Sequence, residues 1–171
     1  MSNEQKNRKS TIKFKAEVAR VLDIVIHSLY TDREIFIREL ISNAADALEK
    51  RRYFDLVEGR DPEKEAPLEI TIESDESEKR VTIRDNGIGM TREEMVENLG
   101  RIAHSGAMEF LEKAAAAGKK EDINLIGQFG VGFYSAFMVA SQVRVESRSA
   151  RNSSEGTLWI SDGVSNFTVE P

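Results

Sequence analysis

The chain has 171 residues, the ordinary size of one domain, and 40% of them are hydrophobic, which is enough to bury a core. Its 24 Lys and Arg against 30 Asp and Glu give a formal net charge of −6, which argues against a nucleic-acid or anionic-membrane surface. The absence of cysteine excludes disulfides, thiolate zinc sites and Cys nucleophiles. The polar first residues and the lack of a long apolar run predict a cytoplasmic protein.

The first third of the chain is predicted to form a short strand and two helices. Alternating apolar residues predict the strand over 11–15, and apolar residues at three- and four-residue steps predict a helix over 14–30. Thr31 and Glu34 have the spacing of a capping box. We therefore expect a second helix that starts there and runs to about Leu56.

The middle of the chain is predicted to form a hairpin and two further helices. Alternation predicts strands over 68–72 and 80–85, joined by a polar turn. Thr91 and Glu94 again have capping-box spacing and predict a short helix. Another helix is predicted over 107–117.

The last part of the chain begins with a glycine-rich loop that leads into a predicted buried helix over 133–140. Strands are predicted over 142–148, 157–161 and 166–169. Helices and strands come in mixed order, without regular βαβ alternation. The sequence therefore predicts an α+β fold, a two-layer sandwich in which helices cover one face of a mostly antiparallel mixed sheet.

A polar stripe borders the apolar face of the second predicted helix. Glu39, Asn43 and Asp46 lie at i, i+4 and i+7, and at about 100° per residue they share one face of the helix. A solvated surface is the simplest interpretation of such a stripe. However, no Lys or Arg stands among the three residues, so the ion pairing typical of a solvated face is missing and a ligand-binding role stays open.

The motif DNGIGM follows the second strand of the predicted hairpin. Asp85 shares its strand face with the apolar residues two and four positions before it, so we expect its carboxylate to be buried. A buried carboxylate needs donors, either backbone N–H groups or an amino group on a heterocycle. A tight turn at 86–87 is the alternative, but Gly89 favours the close approach of the backbone to a flat ligand.

The stretch GQFGVGF places Gly127, Gly130 and Gly132 before the predicted buried helix. Glycines allow several backbone N–H groups to converge, and a helix N-terminus adds partial positive charge, which together suit a phosphate group. The spacing matches neither the dinucleotide-binding GxGxxG nor the P-loop. A flexible hinge is the alternative interpretation.

Together and in this order, the three motifs resemble those of the GHKL ATPases, the superfamily of gyrase, heat-shock chaperone, histidine kinase and MutL. Within it, the chain resembles the N-terminal ATPase domain of the heat-shock protein 90 chaperone family, HtpG type, in the stretches TDREIFIRELISNAADALEKRRY, DNGIGMT, NLGRIAHSGAMEFL and IGQFGVGFYSAFMVA. The resemblance covers residues 14–169. It implies a Bergerat-type ATP-binding fold with ATP or ADP and Mg²⁺ as cofactors.

The resemblance also implies roles for individual residues. Glu39 matches the general base that activates water for attack on the γ-phosphate, Asn43 matches the Mg²⁺ ligand, and Asp85 matches the carboxylate that accepts the adenine amino proton. Asp46 and Lys50 match positions near the ribose and phosphates. All the positions that match nucleotide-contacting residues of the family are Asn43, Ala47, Lys50, Asp85, Ile88, Gly89, Met90, Asn98, Leu99, Gly130, Val131, Gly132 and Phe133.

By the same resemblance, we expect a disordered tail over residues 1–10 and a nucleotide-binding domain over 11–171 that stops before the family's last strand. The segment from about 100 to 127 matches the family's mobile lid. The family's middle domain, which contributes an arginine to the γ-phosphate, and its C-terminal dimerisation domain are expected to be missing. We therefore expect a monomeric fragment of a homodimeric chaperone, with slow or negligible ATP hydrolysis by itself. Its expected partners are adenine nucleotides, client proteins and the missing domains, not nucleic acid or a membrane.

Three other functions are compatible with parts of this pattern. A histidine-kinase ATP domain shares the Asn and Gly motifs, but phosphotransfer has no use for a water-activating carboxylate such as Glu39. A DNA topoisomerase or mismatch-repair ATPase is disfavoured by the GQFGVGFYSAF context and the acidic net charge. The third alternative is a pure binding module in which the motifs are structural turns.

Overall fold

The computed structural model describes residues 9–14, 33–61, 66–100, 132–152, 155–164 and 166–171. These residues form six strands, two α-helices and one 3₁₀ helix. In chain order the elements are β1 (Ser10–Lys13), α1 (Ile35–Val57), β2 (Ile70–Asp75), β3 (Arg80–Asp85), α2 (Arg92–Gly100), the 3₁₀ helix Gly132–Met138, β4 (Val143–Ser147), β5 (Thr157–Ser161) and β6 (Asn166–Glu170). None of the helices in these ranges has the length and apolar character needed to cross a lipid bilayer.

Four strands form one antiparallel sheet in the order β1-β6-β5-β4. The two central strands bury alternate residues on one face, where Trp159, Phe167 and Val169 are at most 1% exposed. Phe14, directly after β1, places its ring against both Trp159 and Phe167, with centroids 6.5 and 5.2 Å apart. The core of the described structure is therefore largely aromatic and lies on this face of the sheet.

The strands β2 and β3 form a separate antiparallel ribbon that packs against α1. At its turn, Oδ1 of Asp75 accepts hydrogen bonds from the hydroxyl of Ser77 at 2.6 Å and the N–H of Glu78 at 3.0 Å, and these bonds hold the pKa of Asp75 below its usual value. Ile72 and Val81, on one face of the ribbon, are 49% and 50% exposed. The turn end of the ribbon is therefore only partly covered.

The α+β prediction is confirmed, and every strand pair within the described ranges is antiparallel. All six predicted strands are present, and β3 and β5 have the predicted bounds. The strand β2 begins two residues later than predicted, because the side chain of Asn86 rather than a strand backbone binds the segment 67–69. The helix predicted over 14–30, from residue 15 onward, and the helix predicted over 107–117 lie outside the described residues.

The two predicted capping boxes have different outcomes. In α2 the box is confirmed, because the hydroxyl of Thr91 accepts the N–H of Glu94 at 3.2 Å and Oε2 of Glu94 accepts the N–H of Thr91 at 2.9 Å. The predicted start of α1 at Thr31 is wrong. The helix begins at Ile35, and Glu34 is itself the N-cap, with no side-chain capping bond. Glu34 therefore precedes the first turn of the helix instead of lying within it, although its backbone already has helical dihedral angles.

The buried helix predicted over 133–140 is a 3₁₀ helix over Gly132–Met138. The hydroxyl of Ser135, itself buried, donates a hydrogen bond to the carbonyl of Gly132 at 2.5 Å. A serine that binds the carbonyl three residues earlier competes with α-helical hydrogen bonding. This bond favours the tighter helix, which keeps Tyr134, Ala136 and Phe137 buried.

The capping box of α2 is also joined to the loop after β4. Arg151 donates a hydrogen bond to Oε2 of Glu94, the same oxygen that accepts the N–H of Thr91. The Arg151 hydrogen bond is the main reason why the pKa of Glu94 lies below its ordinary value of 4.5, although partial burial acts in the opposite direction. The ion pair therefore links the start of α2 to the segment that follows β4, an edge strand of the four-stranded sheet.

This ion pair should make the stability of the protein depend on pH. Because the folded-state pKa of Glu94 is lowered, its stabilisation is complete above the unfolded-state value near 4.5 and is lost as the pH falls through the folded-state value. We expect Glu94→Gln, which keeps the capping geometry, to lower the free energy of unfolding by about 0.5 kcal/mol at pH 7, because the pair is partly exposed and screened.

Urea unfolding of parent and variant at pH 7 and at pH 3 measures this effect. The difference between the two proteins should be smaller at pH 3, because the carboxylate loses its charge as the pH falls through its lowered folded-state pKa. Glu93→Gln, at an exposed position in the same helical turn, is the control and should show a smaller change. A difference of the same size at pH 7 and at pH 3 would show that the lost interaction is not the ion pair.

Candidate functional site

One side of α1 carries Glu39, Asn43 and Ala47 on successive turns. The side chain of Glu39 is only 12% exposed, whereas Asn43 is exposed. With a rise of 1.5 Å per residue, Glu39 and Ala47 lie about 12 Å apart along the helix axis. The stripe noted in the sequence thus runs from a largely buried acid to an exposed amide, which does not match a uniformly solvated face.

The carboxylate of Glu39 lies against the backbone at the start of the 3₁₀ helix. A Cβ atom placed on Gly132 would overlap Oε2 of Glu39 and would stand 3.1 Å from its Cδ. Only glycine therefore allows this carboxylate to approach the chain so closely. The other oxygen of Glu39 faces Arg38, whose Nη2 lies 3.7 Å from Oε1. The structure thus brings together Glu39 and Gly132, which the sequence assigned to two different motifs.

The DNGIGM loop is fixed to α1 at Ala47. The N–H of Ile88 donates to the carbonyl of Ala47 at 3.0 Å. A Cβ atom placed on Gly87 would stand 2.5 Å from the carbonyl carbon of Ala47, so glycine is required for this contact between two backbones. Ala47 and Ile88, two predicted site residues, are therefore joined directly.

The same loop is fixed on its other side to the end of β4. The N–H of Met90 donates to the hydroxyl of Ser147 at 2.9 Å, and the N–H of Ala150 donates to the carbonyl of Ile88 at 2.8 Å. Gly89 has a positive φ of 65°, and a Cβ atom there would overlap a backbone carbonyl in the segment after β4. The loop is thus held between a helix and a strand end.

Asp85 is exposed, which corrects the prediction that its carboxylate is buried. It is the last residue of β3, and α1 covers this face of the ribbon only in part, as the 50% exposure of Val81 shows. The expected backbone donor is present, because the N–H of Gly87 donates to Oδ1 at 2.9 Å. Within the described part of the chain no other donor reaches the carboxylate, so Oδ2 can accept a hydrogen bond from a ligand.

Asn98 and Leu99, near the end of α2, lie beside the loop and the 3₁₀ helix. Nδ2 of Asn98 is 3.8 Å from the sulfur of Met90. The carbonyl of Leu99 accepts a hydrogen bond from the hydroxyl of Tyr134 at 3.0 Å. Burial raises the pKa of Tyr134 well above its usual value, so the phenol keeps its proton and remains a donor.

Phe133 connects the start of the 3₁₀ helix to the aromatic core. Its half-buried ring stands edge to face against Trp159, with centroids 5.6 Å apart. Asp46 and Lys50 are exposed on α1, and residues 130–131, which include the predicted Gly130 and Val131, lie outside the described ranges. The site residues that the structure joins are Glu39 with Gly132, Ala47 with Ile88, and Met90 with Asn98.

Two side chains that hold the loop were not identified from the sequence as parts of the site. Ser147 ends an alternating strand and binds Met90 across 57 positions, a contact for which no local pattern exists. Asn86 belongs to the motif, but its pattern with Gly87 indicated only a turn. A side chain that binds a distant backbone leaves no periodic signal in the sequence.

The donors around Asn43 suit a Mg²⁺ ion that phosphates also hold. Mg²⁺ prefers one or two protein oxygens together with phosphate and water oxygens. Asn43 offers an exposed amide oxygen one turn from the carboxylate of Glu39. The described residues contain no group of three His, Cys, Asp or Glu side chains placed to hold a metal. The amide oxygen of Asn43, next to a carboxylate, is compatible with a Mg²⁺ ion that nucleotide phosphates also hold.

The chain is similar in sequence to a known family of ATPases. Residues 30–166 match the family described as histidine kinase-, DNA gyrase B-, and HSP90-like ATPase. The chain is 57% identical to the chaperone protein HtpG of Desulfitobacterium hafniense, 55% identical to that of Desulfotalea psychrophila and 47% identical to that of Myxococcus xanthus. The alignments cover 93%, 92% and 100% of the chain but 26%, 25% and 26% of these relatives, so the chain spans about a quarter of their length.

The relatives also separate the alternatives left open by the sequence. Similarity to HtpG extends over nearly the whole chain, which favours the chaperone branch over the topoisomerase, mismatch-repair and histidine-kinase branches. The antiparallel sheet with helices is consistent with the matched family. The chain therefore belongs to the histidine kinase-, DNA gyrase B-, and HSP90-like ATPase family, and within it is similar to the HtpG chaperones.

Proposed function

We propose that this chain is the ATP-binding and ATP-hydrolysing domain of a molecular chaperone, with Mg²⁺ as cofactor. The observation that carries the proposal is the pair of contacts along one side of α1, one through a side chain and one through the backbone. Glu39 meets Gly132 at one end, and Ala47 meets the DNGIGM loop about two turns later. Asn43 lies between them, so an acid, an amide and the loop that carries Asp85 border one stretch of helix.

The loop end of this stretch suits an adenine base. An ionised carboxylate only accepts hydrogen bonds, so the free Oδ2 of Asp85 matches the exocyclic amine of adenine and opposes the O6 acceptor of guanine. The N–H of Gly87 holds Oδ1 and so fixes the direction of Oδ2. Gly89 and Met90, held by the end of β4, form the adjoining wall with Ile88, Asn98 and Leu99.

The other end of the stretch suits the phosphates. Glu39 would orient and deprotonate the attacking water, a role that its position against Gly132 supports. Asn43 would hold Mg²⁺, which, when bound, neutralises charge on the phosphates. The remaining roles are those implied by the motifs. Backbone N–H groups of Gly130, Val131, Gly132 and Phe133 would face the phosphates, and Asp46 and Lys50 would lie near the ribose and phosphates.

The proposal extends to the protein that contains this domain. Relatives named as chaperones are about four times as long as the part they share with the chain, as the 25 to 26% coverage shows. We infer a cytoplasmic homodimer that acts on client proteins, in which residues 11–171 bind the nucleotide under a lid over about 100–127. Further domains would complete the catalytic site, so the monomeric domain alone should hydrolyse ATP slowly.

Calorimetric titration of the chain with ADP and Mg²⁺ tests the proposal. We expect saturable binding of ADP and much weaker binding of GDP, because Oδ2 of Asp85 cannot bond to O6. Chelation of Mg²⁺ should weaken ADP binding if Asn43 and the phosphates share the ion. The single tryptophan, Trp159, touches Phe133 and gives an independent fluorescence signal. No heat with ADP, or equal affinities for ADP and GDP, would instead favour a binding module with structural turns.

A further inference from the structure

The side chain of Asn86 extends the β2–β3 ribbon beyond its last backbone pair. That last pair joins Ile70 to Asp85. Next to it, Oδ1 of Asn86 accepts the N–H of Glu69 at 2.8 Å, and Nδ2 of Asn86 donates to the carbonyl of Pro67 at 2.7 Å. One amide group thus makes both an accepting and a donating contact with the opposite segment, as the backbone of a strand residue would.

Because the side chain of Asn86 makes the bonds that a strand backbone would make, the main chain can leave the ribbon at residue 86. Two residues later, the backbone is bonded to α1 through the N–H of Ile88 and the carbonyl of Ala47. Without the amide of Asn86, the end of β3 would be tied to α1 but not to the segment before β2. Asp85 stands at this branch point, and the contacts on both sides of it determine where its carboxylate points.

We propose that Asn86 is a positioning residue for base recognition, which holds the strand end so that Oδ2 of Asp85 faces the exocyclic amine of the base. The inference rests on the proposed function, because it assumes that Asp85 accepts this amine. Asn86 acts through Asp85. The oxygen and the nitrogen of its amide are both engaged by the segment 67–69, so its contact is with the strand end and not with the base.

The chemistry of the contact requires an amide. A carboxylate at position 86 could accept the N–H of Glu69 but would present a second acceptor to the carbonyl of Pro67. An apolar side chain could make neither bond. Both partners lie near solvent and could bond to water instead, so the loss of Asn86 should cost little stability while it releases the strand end.

The ratio of the affinities for two ligands distinguishes a positioning role from a general loosening of the fold. The ligands are ADP and the diphosphate of purine riboside, which lacks the exocyclic amine. In the parent chain we expect ADP to bind about 10- to 100-fold more tightly, the range for a hydrogen bond to an ionised group. In Asn86→Ala we expect this ratio to fall by about fivefold, the size of one ordinary hydrogen bond. Asn86→Leu, which keeps most of the volume, should lower the ratio similarly.

Ser77→Ala is the matched control, because Ser77 makes a side-chain hydrogen bond at the opposite end of the same ribbon. Its ratio should equal that of the parent. An unchanged ratio in both Asn86 variants, with or without weaker binding of both ligands, would overturn the inference, and so would an equal fall in Ser77→Ala. A parent chain that binds ADP without preferring it would instead contradict the adenine assignment of Asp85, and the inference would fall with it.

Discussion

Replacing Glu39 with glutamine should slow ATP hydrolysis by about 10²- to 10⁴-fold and leave ATP binding nearly unchanged. Glutamine has the shape of glutamate, so its side chain can still lie against Gly132 in a site where the native residue is only 12% exposed. It cannot take a proton from water, however, so the general-base contribution is lost. Single-turnover release of phosphate, with the protein in excess over ATP, measures hydrolysis even if turnover is slow.

Glu49→Gln is the matched control for this prediction. Glu49 lies on the same helix, is 68% exposed and pairs with Arg52 at 2.7 Å, away from the stripe that carries Glu39. Its hydrolysis rate should equal that of the parent. An unchanged rate in Glu39→Gln would remove Glu39 from the general-base role, and parallel losses of binding and hydrolysis would show that it only supports the structure.

Asp85→Asn should weaken ADP binding by about 10- to 100-fold. The native Oδ1 already accepts the N–H of Gly87 at 2.9 Å. In the variant the single amide oxygen should keep this bond, which turns the NH₂ group toward the exocyclic amine of adenine and sets two donors against each other. The loss should be smaller for inosine diphosphate, whose O6 accepts a hydrogen bond, and calorimetric titration of both nucleotides measures the two affinities.

Asp75→Asn is the control for Asp85→Asn. Asp75 ends the other strand of the ribbon and likewise accepts a backbone N–H with Oδ1, but it lies at the turn, at the far end from the DNGIGM loop. ADP affinity should be unchanged in this variant. If the parent and Asp85→Asn bound ADP with equal affinity, residues other than Asp85 would recognise the adenine base.

Structural features that depend only on residues close together in the sequence could be predicted from it. The ribbon turn, the strands and the Thr91–Glu94 capping box depend on residues a few positions apart, and the structure confirms them. Glu39 and Gly132 were both identified from sequence motifs, but their contact was found only in the structure. Their roles in binding and catalysis stay predictions, since they concern a ligand and not the fold.

Other features depend on contacts between distant segments and could not be predicted. The exposure of Asp85 follows from how far α1 covers the ribbon, which strand alternation alone does not determine. The start of α1 was placed too early because the spacing of Thr31 and Glu34 fits the capping pattern, whereas the helix begins at Ile35 with Glu34 as its N-cap. Ser147 reaches Met90 across 57 positions, so only the folded chain reveals it.

The contact at Gly132 connects Glu39 to the aromatic core of the protein. Gly132 touches Glu39, and its neighbour Phe133 touches Trp159, the single tryptophan of the chain and a fully buried residue. A change of volume at Trp159 would shift the short helix and with it the surface on which the carboxylate of Glu39 rests. With Glu39 as the proposed general base, a substitution at Trp159 is expected to alter hydrolysis as well as stability.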